Sequence, residues 1–221
     1  MAATYTKQGL LTGAGSMYLA FIETEDTPTA GPTYSESVFE TPSLESINAQ
    51  LEISNLKVHL SNIIHSDITS VLSATIPVTA GYFPRDFAEE AQGMVRTGGT
   101  AGKGGSWSMP TNPKAKPFRL AIPFTDENGD VVVVNFPKCT LAPVNIEGQT
   151  ETDTVNPQMK TYNITATPIL KPDANGDRYV LHKLDLADPN NKTAYDKAKL
   201  LEQGWYDAAT LELCKVTAPA G

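Results

Sequence analysis

Between Phe118 and Phe136 the sequence FRLAIPFTDENGDVVVVNF sets two apolar runs on either side of Asp126-Glu127-Asn128-Gly129-Asp130. In the first run Phe118, Leu120, Ile122 and Phe124 alternate with Arg119, Ala121 and Pro123, the period of two that belongs to strands. Asn-Gly between such runs is among the strongest short-range hairpin signals, because both residues tolerate the positive φ of a type I′ turn. The two runs are therefore expected as neighbouring strands of one sheet.

The same acid-rich centre invites a calcium reading, which the spacing rejects. A calcium loop needs oxygen ligands at positions 1, 3, 5, 7, 9 and 12 and glycine at position 6. Counted from Asp126, Gly129 falls at position 4 and Pro137 at position 12. A second copy, Asp173-Ala174-Asn175-Gly176-Asp177, fails in the same way with Leu184 at position 12. Turn chemistry alone explains Asp, Asn and Gly at both places.

Other candidate chemistries fall on similar grounds. GGTAGKGGS has Thr97 and Gly104 where a phosphate-binding loop requires Gly and a hydroxyl residue, and no helix starts after Lys103. The histidines His59, His65 and His182 are scattered, no serine lies in a G-x-S-x-G elbow, and no enzyme activity is expected. Cys139 and Cys214 have no zinc spacing and are expected as reduced thiols, Cys139 buried in a strand. No cofactor and no metal is implied. Asn163-Ile164-Thr165 and Asn191-Lys192-Thr193 match the glycosylation pattern by chance.

A formal charge of -8 argues against a chain that grips nucleic acid, since holding a phosphate backbone needs clustered Lys and Arg. The first 21 residues have one Lys and no apolar run long enough for a secretion signal or a membrane span, so no membrane partner is expected. Charged residues make up only 19% of the chain, while Thr, Ser, Gly and Pro run high, a mix that favours strands and turns.

Along the chain, AGSMYLAFIET (14–24) reads as a strand and DTPTAGPTYSES as a long connection. FETPSLESINAQLEISNL (39–56) alternates weakly, and DITSVLSATIP (67–77) clearly. There Ile68, Ser70, Leu72, Ala74 and Ile76 share one face, and Asp67, Thr69, Val71, Ser73 and Thr75 the other. DFAEEAQGM is the one helix expected in the first three-quarters, with Asp86 and Glu89 in the form of an N-terminal cap and Phe87, Ala91 and Met94 on one stripe. Residues 97–117 read as a flexible surface loop. CTLAPVNIE and KTYNITATPIL read as a strand pair joined by the polar loop GQTETDTVNPQM; Tyr162, Ile164 and Ala166 face one way, Thr161, Asn163, Thr165 and Thr167 the other. The style changes after Pro172. A helix from about Thr193 to Gln203 is expected, Thr193 with Asp196 as its cap and Gly204 at its C-terminal end.

The order of these elements resembles the major tail tube proteins of long-tailed, non-contractile, lambda-like bacteriophages. The likeness spans about residues 8–172: Gly13-Ala14-Gly15-Ser16 before the first strand, a long connection, ITSVLSATIP, a lone amphipathic helix, a strand closing in an Asp/Asn-Gly turn, and VVVVNFPKCTLAPVNIEGQTETDTVNPQMKTYNITATPIL. It implies a mainly β fold, an antiparallel β-sandwich or split barrel with one flanking α-helix, in a domain of residues 1–172 with an N-terminal arm, 1–13. Residues 173–221 lie outside it as a small α+β extension with one helix.

The resemblance further implies a structural virion protein that forms hexameric rings stacked into the tail tube, through which the genome leaves. Its partners would be copies of itself and other tail proteins such as the tape measure, the tail terminator and baseplate components, with DNA passing the lumen unbound. Assembly would take place in the host cytoplasm. On this reading Asp67, Thr69, Ser73, Thr75, Thr161, Asn163, Thr165 and Thr167 face the lumen; an outward, solvated face is the alternative. Ring stacking would use the connection around Leu56, Lys57, His59, Asn62 and His65, together with the N-terminal arm. Contractile and type VI tubes share the fold, and a capsid decoration or adhesion module shares the composition.

Overall fold

A computed structural model describes residues 9–60, 63–84, 86–99, 104–144 and 159–217, with 56–60 and 63–68 described by their backbone alone. The chain opens with β1 (Leu11–Ala14), β2 (Met17–Thr24), β3 (Thr33–Tyr34), β4 (Phe39–Thr41), β5 (Leu44–Ile47), β6 (Gln50–Leu60) and β7 (Ile63–Ala80). After helix α1 (Phe87–Ala91) come β8 (Val95–Thr97), β9 (Ser106–Ser108), β10 (Phe118–Asp126), β11 (Val131–Leu141) and β12 (Lys160–Ala166). The last elements are β13 (His182–Asp185), α2 (Pro189–Ala194), α3 (Lys197–Glu202) and α4 (Ala208–Leu213).

The main sheet runs β3-β2-β10-β11-β12-β7-β5, with β1 added to β10, β13 to β11, β4 to β2 and β6 to β7; all pairings are antiparallel. The architecture is mainly antiparallel β with short flanking helices, in keeping with the sandwich or split barrel that the resemblance implies.

The central hairpin β10–β11 is covered on both faces. Phe118, Leu120 and Ile122 join Met17, Leu19, Ile76, Ile164, Phe136 and Tyr162 in one core, which α1 closes by stacking Phe87 on Phe21 at 4.5 Å. From the opposite face Ala121 and Val133 meet Leu184, Leu186, Leu200, Leu201, Trp205 and Cys214 in a second core. The segment after Pro172 thus contributes a strand to the main sheet and a helical layer over it.

Local chemistry departs from the sequence reading at four places. The β10–β11 turn is not type I′, since only Gly129 of its residues has positive φ (80°). Gly129 N–H donates to Asp126 O at 3.1 Å and Asp126 N–H to Asp130 O at 2.9 Å, a type I turn closed by a left-handed glycine. Residues 173–177 repeat the same bonds around Gly176. Asp86 makes no capping bond: it sits at φ 68°, and its carboxylate accepts from Arg96 at 2.6 Å and Trp107 Nε1 at 3.0 Å. The expected loop at 97–117 instead begins in a short hairpin, in which β8 pairs with β9. The single expected C-terminal helix is three helices. Tyr195 is extended (φ -118°, ψ 142°) and breaks the first two apart, and Asp196, not Thr193, caps α3 by accepting from Ala198 N–H at 2.8 Å.

Candidate functional site: the ribbon of β6 and β7 and the outer face of β7 and β12

β7 is 18 residues long and has two halves with different neighbours. Ala74–Ala80 pair with β12 inside the body, Ala74 and Thr75 also with β6, whereas Ile63–Ser73 pair with β6 alone among the described residues. The ribbon beyond the body leaves the outer edge of β6, and the edge of β7 from Ile63 to Ser73 that faces away from β6, without a strand partner among the described residues.

A register shift decides which side chains share a face. Glu52 pairs with Ser73 but Ile53 with Val71, so β7 carries one extra residue at Leu72. Such a bulge reverses the alternation of the strand that bears it relative to its partner. On one side of the ribbon Glu52 accepts from Ser73 Oγ at 2.6 Å and from Thr75 Oγ1 at 3.0 Å, and these hydroxyls hold its carboxyl below the usual range. Asn55, three positions on and therefore on the opposite face, accepts from Thr69 Oγ1 at 2.9 Å. The shared face read for Thr69, Ser73 and Thr75 fails at Thr69, which the bulge moves to the other side.

The polar face continues into the body. Thr165 lies opposite Thr75, Asn163 opposite Pro77 and Thr161 opposite Thr79, while Tyr162, Ile164 and Ala166 point into the core as the alternation predicts. Thr167 lies past the end of β12 and donates its N–H to Lys138 O at 2.9 Å. The result is a row of hydroxyls and amides with Glu52 and no Lys or Arg among its described side chains. Asp67 is in β7, opposite Lys57, with its side chain outside the described residues.

Leu56, Lys57 and His59 do not form a connecting loop. They are in β6, paired with Ile68, Asp67 and Ile64, and His65 is in β7; their side chains, and Asn62 altogether, lie outside the described residues.

On the face opposite the hydroxyls, Leu51, Ile53 and Val71 are 44%, 56% and 43% exposed, and the bulge residue Leu72 57%. This is the core face of the sheet, since Leu51 pairs with the fully buried Ala74. The weak alternation of QLEISN is the sequence signal for it, and it becomes informative only once the bulge fixes the register.

Elsewhere the reactive side chains serve packing. Cys139 and Cys214 are buried free thiols, both pushed up by burial, the reverse of what a nucleophile needs. His182 is half-buried beside Tyr179 and Trp205, burial lowers its pKa against a weaker pull from Asp207, and Nε2 has no hydrogen-bond partner among the described residues. Arg119, read only as a polar position of an alternating strand, is fully buried, and burial lowers its pKa to about 10. It donates to Leu201 O at 3.0 Å and Glu202 O at 2.7 Å, capping the carbonyl end of α3. Among the described residues no group of three or more His, Cys, Asp and Glu could hold a metal ion, and no helix is long and apolar enough to cross a membrane.

No protein-family model matches the chain, and no curated protein matches it. Among solved structures the chain is similar to the cap that terminates the anti-feeding prophage tube, determined by cryo-electron microscopy. The identity is 12% and the TM-score 0.39, over 84% of this chain and 95% of that one.

Proposed function

We propose that this protein is a structural subunit of a bacteriophage tail, polymerising as stacked hexameric rings into the tube that delivers the genome. The observation that carries the reading is the two-faced ribbon of β6 and β7. Its free edges are a template for strand pairing with another chain, and its polar face runs on into β12 with hydroxyls, amides and one carboxylate but no described cation. A conduit for DNA should lack cations, because Lys and Arg would hold the phosphate backbone with salt-dependent affinity. A head-to-tail contact that closes by rotation makes a ring, and repetition along the axis makes a tube.

On this reading Ser73, Thr75, Thr161, Asn163 and Thr165 line the lumen, with Thr167 at its end, and the segment from Leu56 to His65 stacks one ring on the next. The role is structural and not catalytic. The partners are copies of the chain and the neighbouring tail proteins, and DNA passes without specific binding. The test is Thr165→Lys in assembled tails. Slower genome ejection from tubes of normal length supports the lumen assignment, and an unchanged ejection rate sinks it.

A further inference from the structure

We infer that the apolar cavity between the end of β5 and the turn end of the β10–β11 hairpin binds a medium-chain aliphatic carboxylate, its chain in the cavity and its carboxylate on Lys183. Such a site belongs to the single chain and does not depend on copies assembling.

Strand alternation builds the wall. Phe124 pairs with Val132 across the hairpin and Val134 pairs with Lys183 of β13, so these four side chains stand on one face of three neighbouring strands. With Ile47 and Leu181 they line a space of about 300 Å³ that is continuous with the main core through Ile122 and Phe136. That volume lies at the small end of the range for ligand pockets. The backbone groups between the three strands are used in the ladder, so water in the space finds little to bond. A cavity of this chemistry stays dry or takes up an apolar molecule.

One end of that molecule is specified by charge. Lys183 is the one charged residue of the lining. It is exposed, and its ammonium has no ion pair among the described residues. Its place opposite Val134 lays the side-chain carbons along the apolar wall and leaves the ammonium at the margin, as long cations do on apolar surfaces. Asp185, the next residue on the same face of β13, is outside the lining, and its carboxylate accepts from Ala187 N–H at 2.9 Å. A ligand matched to this site has an unbranched apolar body and a single anionic head. A carboxylate on a short alkyl chain has both.

Calorimetric titration of the full chain with octanoate, 1-octanol and octyltrimethylammonium tests the assignment. Octanoate should bind saturably at one per chain, with octyltrimethylammonium at least fivefold weaker. Lys183→Gln alters an exposed position and should weaken octanoate about five- to tenfold while leaving octanol affinity unchanged, which also reports that the cavity is intact. Leu181→Trp fills the space and should abolish binding of both octanoate and octanol. Absence of saturable octanoate binding to the wild type overturns the site. Equal octanoate affinity in Lys183→Gln and the wild type, or an equal loss of octanol in that variant, overturns the role of Lys183. Should Leu181→Trp fail to fold, the octanoate and octanol affinities of Lys183→Gln decide alone.

Discussion

At the scale of single residues, the burial of Arg119 is the feature with the largest consequences. Its guanidinium caps the carbonyls of Leu201 and Glu202 and contacts Asn135 at 3.5 Å, which in turn donates to Trp205 O at 2.5 Å. Gly204 makes room for it: the glycine is at φ 67°, and a Cβ there would come within 2.5 Å of Arg119 Cδ. Gly204→Ala should therefore cost about 2 kcal/mol or more, read as a fall of roughly 4–8 °C in melting temperature. Arg119→Lys cannot reach the same carbonyls with a planar fork and should cost about 1–3 kcal/mol by thermal or urea unfolding. The two effects should be non-additive, because either change disturbs the same contact. In the turn, Asp126 Oδ1 accepts from Asn128 N–H and Asp130 N–H, both at 2.9 Å. Asp126→Ala should cost about 1–3 kcal/mol, and added calcium should leave the wild-type melting temperature unchanged; a rise with calcium would restore the ion-site reading.

At the scale of elements, contacts that tie separate segments together respond to acid in two stages. His182 packs against Trp205, and burial keeps its pKa below the ordinary 6.5. The folded chain thus binds fewer protons than the unfolded one in that range, and this contribution is complete above about pH 6.5 and is lost as pH falls below it. For Asp26 and Asp207 burial works upward, but the ion pairs with Lys138 (2.6 Å) and Lys171 (2.7 Å) and the backbone donors Leu170 and Thr210 outweigh it and hold both carboxyls low. Their contribution is lost only below the ordinary aspartate range of about 4. Stability followed by denaturant midpoint from pH 8 to 3 should show an upper step that His182→Gln removes and a lower one that it leaves.

The strands and their alternation were legible from Phe118–Phe136 and Lys160–Ala166, where period-two patterns face one core. Three things were not. The turn type depends on which residue takes positive φ, and Asn-Gly fits both candidates. The burial of Arg119 depends on a helix whose Leu201 lies 82 residues later in the chain. The face of Thr69 depends on a bulge at Leu72 that leaves the composition of β7 unchanged. Each is a tertiary or register effect that a strictly local pattern does not encode.

At the scale of the whole molecule, a mainly antiparallel β body carries a long two-stranded ribbon. Among the described residues its edges are unpaired; one face exposes Leu51, Ile53 and Val71, and the other presents hydroxyls continuous with β12. A solitary protein with such an edge is prone to aggregate, whereas a subunit uses it. The proposed role therefore requires regular self-assembly. Electron microscopy of the purified protein over a concentration series tests this most directly. Six-fold rings, or tubes of one uniform diameter built from them, are the predicted result; lone particles, or clusters without symmetry, at the highest concentration would contradict it.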